Sequence, residues 1–587
     1  MFDKRWEKLF ALLIVGSMIF TACGGSSDPE VVEKEVTRVV QETVIETVKE
    51  TVIVEGTPQV VEQEVTKVVE VEKIVTATPE PERVPGVGGT MVIGLDAEPG
   101  TLDAHFVNTL VDINIADMLG APLVYMDVEN VGELIPGLAE SWDVSEDGLV
   151  YTFKLRQDVE FHDGTPLTAQ DYAWTFQRMF EVEGSMASQL LDTLELAEAV
   201  DDYTLQLTVT EPDFSFIYSI ADGSRNQPLL RSAVEEWGDT YGKHPVGVGP
   251  YRFKEWQTGE KIVLERNPDY NWGPAYAHQG PSYIESIEYR FIPESAILLA
   301  GLETGEIDDI VLQPKDLEYV EGLGEIQVFE QVQAGLSPYI SLNLSDPLFT
   351  DLRVRQAFNC AIDRQVLIDV VAKGQAVPQY GLLSPPQIGY WPGVEYIGHH
   401  YDQEKAQALL GEAGWTDSDG DGMLEKDGEP LQVTLLVSSE RDESTKAGEV
   451  LQQQLKAVGV DLQLELLEHA LNVGAVIDGD YEMSLFSLLS LLPDWYYYTF
   501  HSGVYNLSHH SDAELDSLLD SFRTADSVEE RQERINDVQK HFIDQAILVP
   551  LFAPKNYFAV NERVKGLWMS DSFGLIMTDA YIETTVQ

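Results

Sequence analysis

Cysteine is almost missing: the 587 residues hold two, Cys23 and Cys360. A chain this poor in thiols can form at most one disulfide and must rest on a large apolar core, for which a 44% hydrophobic composition supplies the material. Positive charge is scarce as well. Only 37 Lys+Arg stand against 100 Asp+Glu, a formal net charge of −63. Such a surface repels phosphate backbones, which excludes nucleic acid as a partner and argues against an anionic membrane surface as a dock for the folded part. Enzyme signatures are lacking too: there is no GxSxG, HExxH, GxxxxGK[ST] or GxGxxG, and the eleven histidines form no ligand-spaced pattern beyond the adjacent pairs His399-His400 and His509-His510. No catalytic activity is expected. The amino-terminal apolar run, Leu9 to Phe20, falls short of the ~20 residues that span a bilayer.

That run follows Lys4, Arg5 and Lys8, the charged-then-apolar layout of an export signal. It ends in Phe20-Thr21-Ala22-Cys23 and is followed by Gly24-Gly25-Ser26-Ser27. This junction resembles the lipobox of bacterial lipoproteins, although Phe20 departs from the Leu usual there. The resemblance implies a signal peptide over residues 1–22 and a diacylglyceryl group on Cys23 as the mature first residue. Cys360 sits in an apolar helical run and is expected to act as a small buried hydrophobe. Residues 23–85 turn to Val, Glu and Thr, and the hexamer EVTRVV at Glu35 returns as EVTKVV at Glu64. Valine spacing sustains no heptad, Gly56-Thr57-Pro58 interrupts it, and neither coiled coil nor sheet follows from the pattern. The expectation is a flexible stalk with a reach of about 45 Å.

The most informative stretch runs from Gly132 to Phe180. Alternation in Tyr151–Leu155 after the turn Ser145–Gly148 predicts a hairpin. Thr168 with Asp171 is a capping box, and Tyr172, Phe176 and Phe180 behind it predict an inward aromatic face. Farther on, Ile284–Pro293, a helix stopped by Gly305 and Ile307–Leu312 form a β-α-β unit. Leu431–Ser438, a helix ending before Gly459 and Val460–Glu468 form another. Between them a single long helix runs through Cys360 to Gly374, and capping boxes at Ser511/Glu514 and Ser527/Glu530 open two late helices.

The run PGLAESW…SEDGL.YTF.LR..V.FHDGTP.TA.D resembles the signature of the extracytoplasmic solute-binding proteins of peptide-type ABC importers, family 5. Segments at 89–105, 200–216, 245–260, 264–273, 351–364 and 511–520 follow that family's order. The resemblance implies an α/β fold of two periplasmic-binding-protein lobes around a hinged cleft, with an extra α+β domain inserted. The first lobe would comprise 86–124, 245–336 and 550–587, the insert 125–244 and the second lobe 337–549. It further implies a monomeric, lipid-anchored extracytoplasmic receptor, on the periplasmic side where there are two membranes, that hands a peptide to the permease subunits of an importer. An oligosaccharide receptor of the same family is one alternative. An exported acidic scaffold or chaperone that binds unfolded peptide through an apolar patch is another.

Candidate ligand contacts are Glu98, Trp391, Asp494, Trp495 and Tyr496; the resemblance places the loop of the last three at the cleft, while an aromatic run after a strand also reads as core packing. Aligned by eye, Leu491 stands where peptide-binding members place the Asp that meets the ligand's ammonium, which leaves Asp494 or another acid for that task. No cofactor is expected. Asp417, Asp419, Asp421 and Glu425 fit positions 1, 3, 5 and 9 of a calcium loop, but Gly428 stands at the twelfth, where a bidentate Glu closes such sites. A solvated Asp/Gly turn is the other reading.

Overall fold

The computed structural model describes residues 36–54, 57–75 and, apart from 131, 190, 526 and 571–573, residues 87–583. Cys23 and the export signal lie outside the described residues. Val36–Val54 pairs antiparallel with Thr57–Val75, from Val36 opposite Val75 to Val54 opposite Thr57. The expected coil is thus a hairpin across these residues, which their β-branched Val, Thr and Ile favour. The hairpin and the body from Pro85 onward are separate compact units.

The body contains three main sheets. The largest runs in the order Tyr251–Gln257, Lys261–Arg266, Ser286–Phe291, Thr90–Leu95, Asp309–Leu312, Phe552–Asn561, Ile326–Val332, and Ala376–Pro378 also pairs with Phe552–Asn561. Thr90–Leu95 lies parallel to both neighbours, with helix Ser295–Thr304 in the crossover from Ser286–Phe291 to Asp309–Leu312. Gly305 closes that helix in the left-handed region at φ +73°, a conformation that costs glycine little. A five-stranded sheet runs Asp461–Leu467, Gln432–Ser438, Met483–Leu488, Leu336–Leu342, Leu548–Pro550. Gln432–Ser438 is parallel to both neighbours, and helix Asp442–Lys456 makes the crossover to Asp461–Leu467. The third sheet is antiparallel, Ala139–Val144, Val150–Leu155, Thr204–Val209, Leu194–Asp201, and carries the helix Ala169–Glu181. This is the two-lobed α/β architecture with an α+β insert.

Local details follow the chain's chemistry, with corrections. Thr168 donates its amide to Asp171 at 2.8 Å, completing the expected cap. Tyr172 and Phe176 are buried, but Phe180 is 47% exposed and Met179 is buried in its place. Eight residues at 100° each overshoot two turns by about 80°, whereas seven fall about 20° short, so the inward stripe passes to Met179. The long helix through Cys360 is two, Leu352–Ala361 and Arg364–Val370. Asp363 breaks it by accepting the amides of Gln365 and Val366 as an N-cap. Cys360 is fully buried, as its apolar neighbours imply. Ser527 caps its helix, while the other late helix is capped by Asp512, not Ser511.

The insert is fused to the first lobe: its core takes in Ala121, Val248, Tyr270 and Trp272, and Arg178 pairs with Asp103 at 2.7 Å. Gly247 and Gly249 pass so close to Leu119 that a Cβ on either would meet its backbone within 2.4 Å. The chain crosses between the two large sheets at Val332 to Leu336 and at Pro550 to Phe552. The two crossings touch through Gln333 N to Pro554 O at 2.8 Å and Leu551 N to Pro338 O at 3.3 Å. Gly335 in the first has φ +126°, and a Cβ there would lie 2.4 Å from Leu488 O. Two adjacent strand crossings are the natural hinge.

Candidate functional site: the interlobe cleft

In open α/β sheets the groups free to meet a ligand lie beyond the carboxyl ends of the parallel strands. In the first lobe these are Asp96–Glu98 after Thr90–Leu95 and Gln313–Asp316 after Asp309–Leu312. In the second they include Leu489–Asp494 after Met483–Leu488. A cavity of about 360 Å³ opens beside the crossings. Pro314, Lys315, Leu317, Glu318 and Glu321 line it from the first lobe, and Lys373 and Gln375 line it from the second. Among the described residues neither Lys315 nor Lys373 has an ion-pair partner within 4.0 Å. Gln375 is fixed by the hydroxyl of Tyr557, whose oxygen also lies 3.2 Å from Glu330 Oε2.

Glu98 stands at the expected strand end, but its carboxylate is engaged by Trp256 Nε1 at 2.7 Å and Gly259 N at 3.0 Å. It fastens the turn between two strands of its own sheet. The ring of Trp391 lies against Gly393, where an added Cβ would come within 2.1 Å of it. Its amide donates to Gln539 Oε1 at 3.4 Å.

Asp494 is buried, and Arg531 Nη2 donates to its Oδ2 at 2.6 Å. Arg531 is enclosed by the rings of Phe214 and Tyr218 from the insert and of Phe522 from the second lobe, 4.7–5.2 Å away. Tyr496 is buried in a helical core with Leu515, Phe522 and Phe542, its hydroxyl accepting from Gln387 Nε2 at 3.0 Å. Core packing, the second reading of the aromatic run, therefore describes Tyr496, and Asp494 faces an arginine. Trp495 is 37% exposed and Leu489 55%, so the open apolar surface of this loop comes from these two.

Sequence reasoning did not single out the residues that join insert and second lobe here. Arg523 Nη2 donates to Asp213 Oδ2 at 2.9 Å, both side chains buried. Phe214 N donates to Arg523 O at 2.8 Å, and Tyr498 Oη donates to Asp192 at 2.7 Å. Arg523 also lies 4.3 Å from the Tyr497 ring. Burial works against its charge, but Asp213, Tyr498 and Asp192 more than offset this and raise its pKa above the ordinary value. The only available signal was the scarcity of arginine: two of these few cations, Arg523 and Arg531, stand on or beside aromatic helix faces.

In the acidic loop, oxygens of Asp417, Asp419 and Asp421 lie within 4.8 Å of one another, all three residues exposed. Asp417 accepts from Gly420 N and Gly422 N, and Asp421 from Met423 N at 2.8 Å. Glu425 is turned onto Ser418, accepting its amide at 2.6 Å and its hydroxyl. Three carboxylates converge, and the fourth expected ligand is tied to the loop itself.

Comparison with known proteins agrees with this architecture. The family described as "Bacterial extracellular solute-binding proteins, family 5 Middle" matches residues 133–506. The oligopeptide-binding protein AppA of Bacillus subtilis is 27% identical over 496 residues, covering 82% of this chain and 89% of its own. The glutathione-binding protein GsiB of Salmonella typhimurium is 26% identical over 510 residues, 84% of this chain and 94% of its own. The structure of B. subtilis AppA in complex with a nonapeptide superimposes with a TM-score of 0.67 at 25% identity, covering 85% of this chain and all of that one.

Proposed function

This chain belongs to the bacterial extracellular solute-binding proteins of family 5, and from that membership we propose that it is the peptide receptor of an ABC importer. It closes two lobes over its ligand and presents it to the permease. The observation that carries the peptide reading is the match to an oligopeptide-binding protein along 82% of this chain and 89% of that one. The cavity beside the crossings supports it: Lys315 and Lys373 suit a terminal carboxylate, and Glu318 and Glu321 a terminal ammonium. Binding and release need no bond to break, so the receptor works without catalysis. One copy suffices for capture, and acyl chains on Cys23 hold it at the outer face of the cell membrane.

Calorimetric titration with tripeptides bearing a free or an amidated carboxyl end tests the assignment. Lys373→Ala combined with Lys315→Ala should weaken binding of the free acid about tenfold or more and leave the amide almost unaffected, since an ion-paired hydrogen bond contributes about 1.5–3 kcal/mol. Equal losses for both forms would remove the two lysines from the site.

A further inference from the structure

The insert and the first lobe form one body, joined by a shared core and by the Arg178–Asp103 pair, whereas the second lobe joins that body at two strand crossings and at the short strand Ala376–Pro378, which pairs with Phe552–Asn561 beside them. Rotation about the crossings must therefore separate whatever contacts run from insert to second lobe. Three such contacts lie side by side: Asp213 with Arg523, Phe214 N with Arg523 O, and Tyr498 with Asp192. None of the residues in these contacts lines the cavity beside the crossings. Asp213 is held for this task from its own side. Ser215 N donates to its Oδ1 at 3.0 Å and Thr193 Oγ1 to its Oδ2 at 3.3 Å, so the carboxylate is fixed before Arg523 reaches it. On the other side, the Tyr497 and Tyr498 rings flank the guanidinium.

We propose that Asp213 and Arg523 form a closure latch, assembled when the second lobe swings against the insert, so that the closed state is stabilised by contacts that never touch the solute. Arg531 extends the latch to the loop after Met483–Leu488. It lies between Phe214 and Tyr218 of the insert while holding Asp494, the residue that ends the loop after Met483–Leu488. Closing the lobes thus also confines that loop. A ligand's apparent affinity then contains the latch equilibrium, because only the shut form retains it.

The proposal rests on the receptor reading only in requiring lobes that move. Hydrogen exchange of the full-length protein, followed by mass spectrometry without added ligand, reads the latch at the Phe214 amide, whose acceptor is across the gap. Asp213→Asn should speed exchange at Phe214 roughly thirtyfold, the equivalent of about 2 kcal/mol for truncating a buried charge pair. Ala139, whose amide bonds Leu123 O at the junction of insert and first lobe, should exchange as before. Tyr498→Phe removes the Asp192 bond without disturbing a buried charge and should speed Phe214 about tenfold. Unchanged exchange at Phe214 in both variants, or equal acceleration at Ala139, would overturn the latch. A purified protein without peptide would contradict the proposed ligand and leave this measurement untouched.

Discussion

Arg531 donates to Asp494 over 2.6 Å with both residues buried, so the carboxylate nearest the end of strand Met483–Leu488 is balanced by an arginine of its own lobe. Removing one member strands the other charge among Phe214, Tyr218 and Phe522. Arg531→Met should lower unfolding stability by about 3–5 kcal/mol, and adding Asp494→Leu should restore most of the loss. Denaturant titration measures both. A double variant as weak as the single one would show that Arg531 acts through packing and not through the pair.

A pH effect follows from Asp309, which is buried in the central strand Asp309–Leu312 with Oδ1 unpartnered. Burial, then the neighbouring Asp308, pushes its pKa up to about 7. The folded state binds this proton more tightly than the unfolded chain, so the stabilising contribution is complete below about pH 4 and is lost as pH rises to 7. Asp309→Asn removes the titration. Relative to the parent, the variant should gain thermal stability between pH 5 and pH 8, and an identical difference in melting temperature at both would contradict the assignment.

The proposed lipid anchor at Cys23 has a localisation test. If acyl chains on Cys23 supply the membrane attachment that a chain of net charge −63 does not, Cys23→Ser should leave the body folded and release it from the membrane fraction. Equal membrane retention of parent and variant would contradict lipidation at Cys23.

For the acidic loop, calcium titration decides between a cation site and a solvated turn, and a cation site makes the following predictions. Asp417, Asp419 and Asp421 converge, while Glu425 is engaged with Ser418 and Gly428 lacks a side chain for the closing position. Chelator-treated protein should take up calcium with a dissociation constant on the order of 10⁻⁴–10⁻³ M, the range of weak extracellular sites. Asp417→Asn should abolish the heat. A parent protein that shows no calcium heat would leave the loop as a solvated turn.

Much of the fold was legible because its causes are local. The Thr168 cap, the Gly305 stop and the apolar surroundings of Cys360 depend on residues a few positions apart, and the structure realises each. The single long helix after Leu352 failed because Asp363 favours capping a new helix over continuing the old one. Phe180 was misjudged because a strict i, i+4, i+8 series drifts around a helix of 3.6 residues per turn. The site was harder to read. The family signature brought Glu98 and Asp494 to strand ends, but their occupation by Trp256 and Arg531 depends on partners 158 and 37 residues away. Asp213 and Arg523, separated by 310 residues, carry no mark of their contact in the linear sequence.

A peptide receptor should retain its solute through purification. Mass spectrometry of the solute released on denaturation should find short peptides with free carboxyl ends in the parent. The Lys315→Ala, Lys373→Ala protein should retain less of them, because the cavity then lacks its two cations. Release of an oligosaccharide, with no peptide in either protein, would contradict the account.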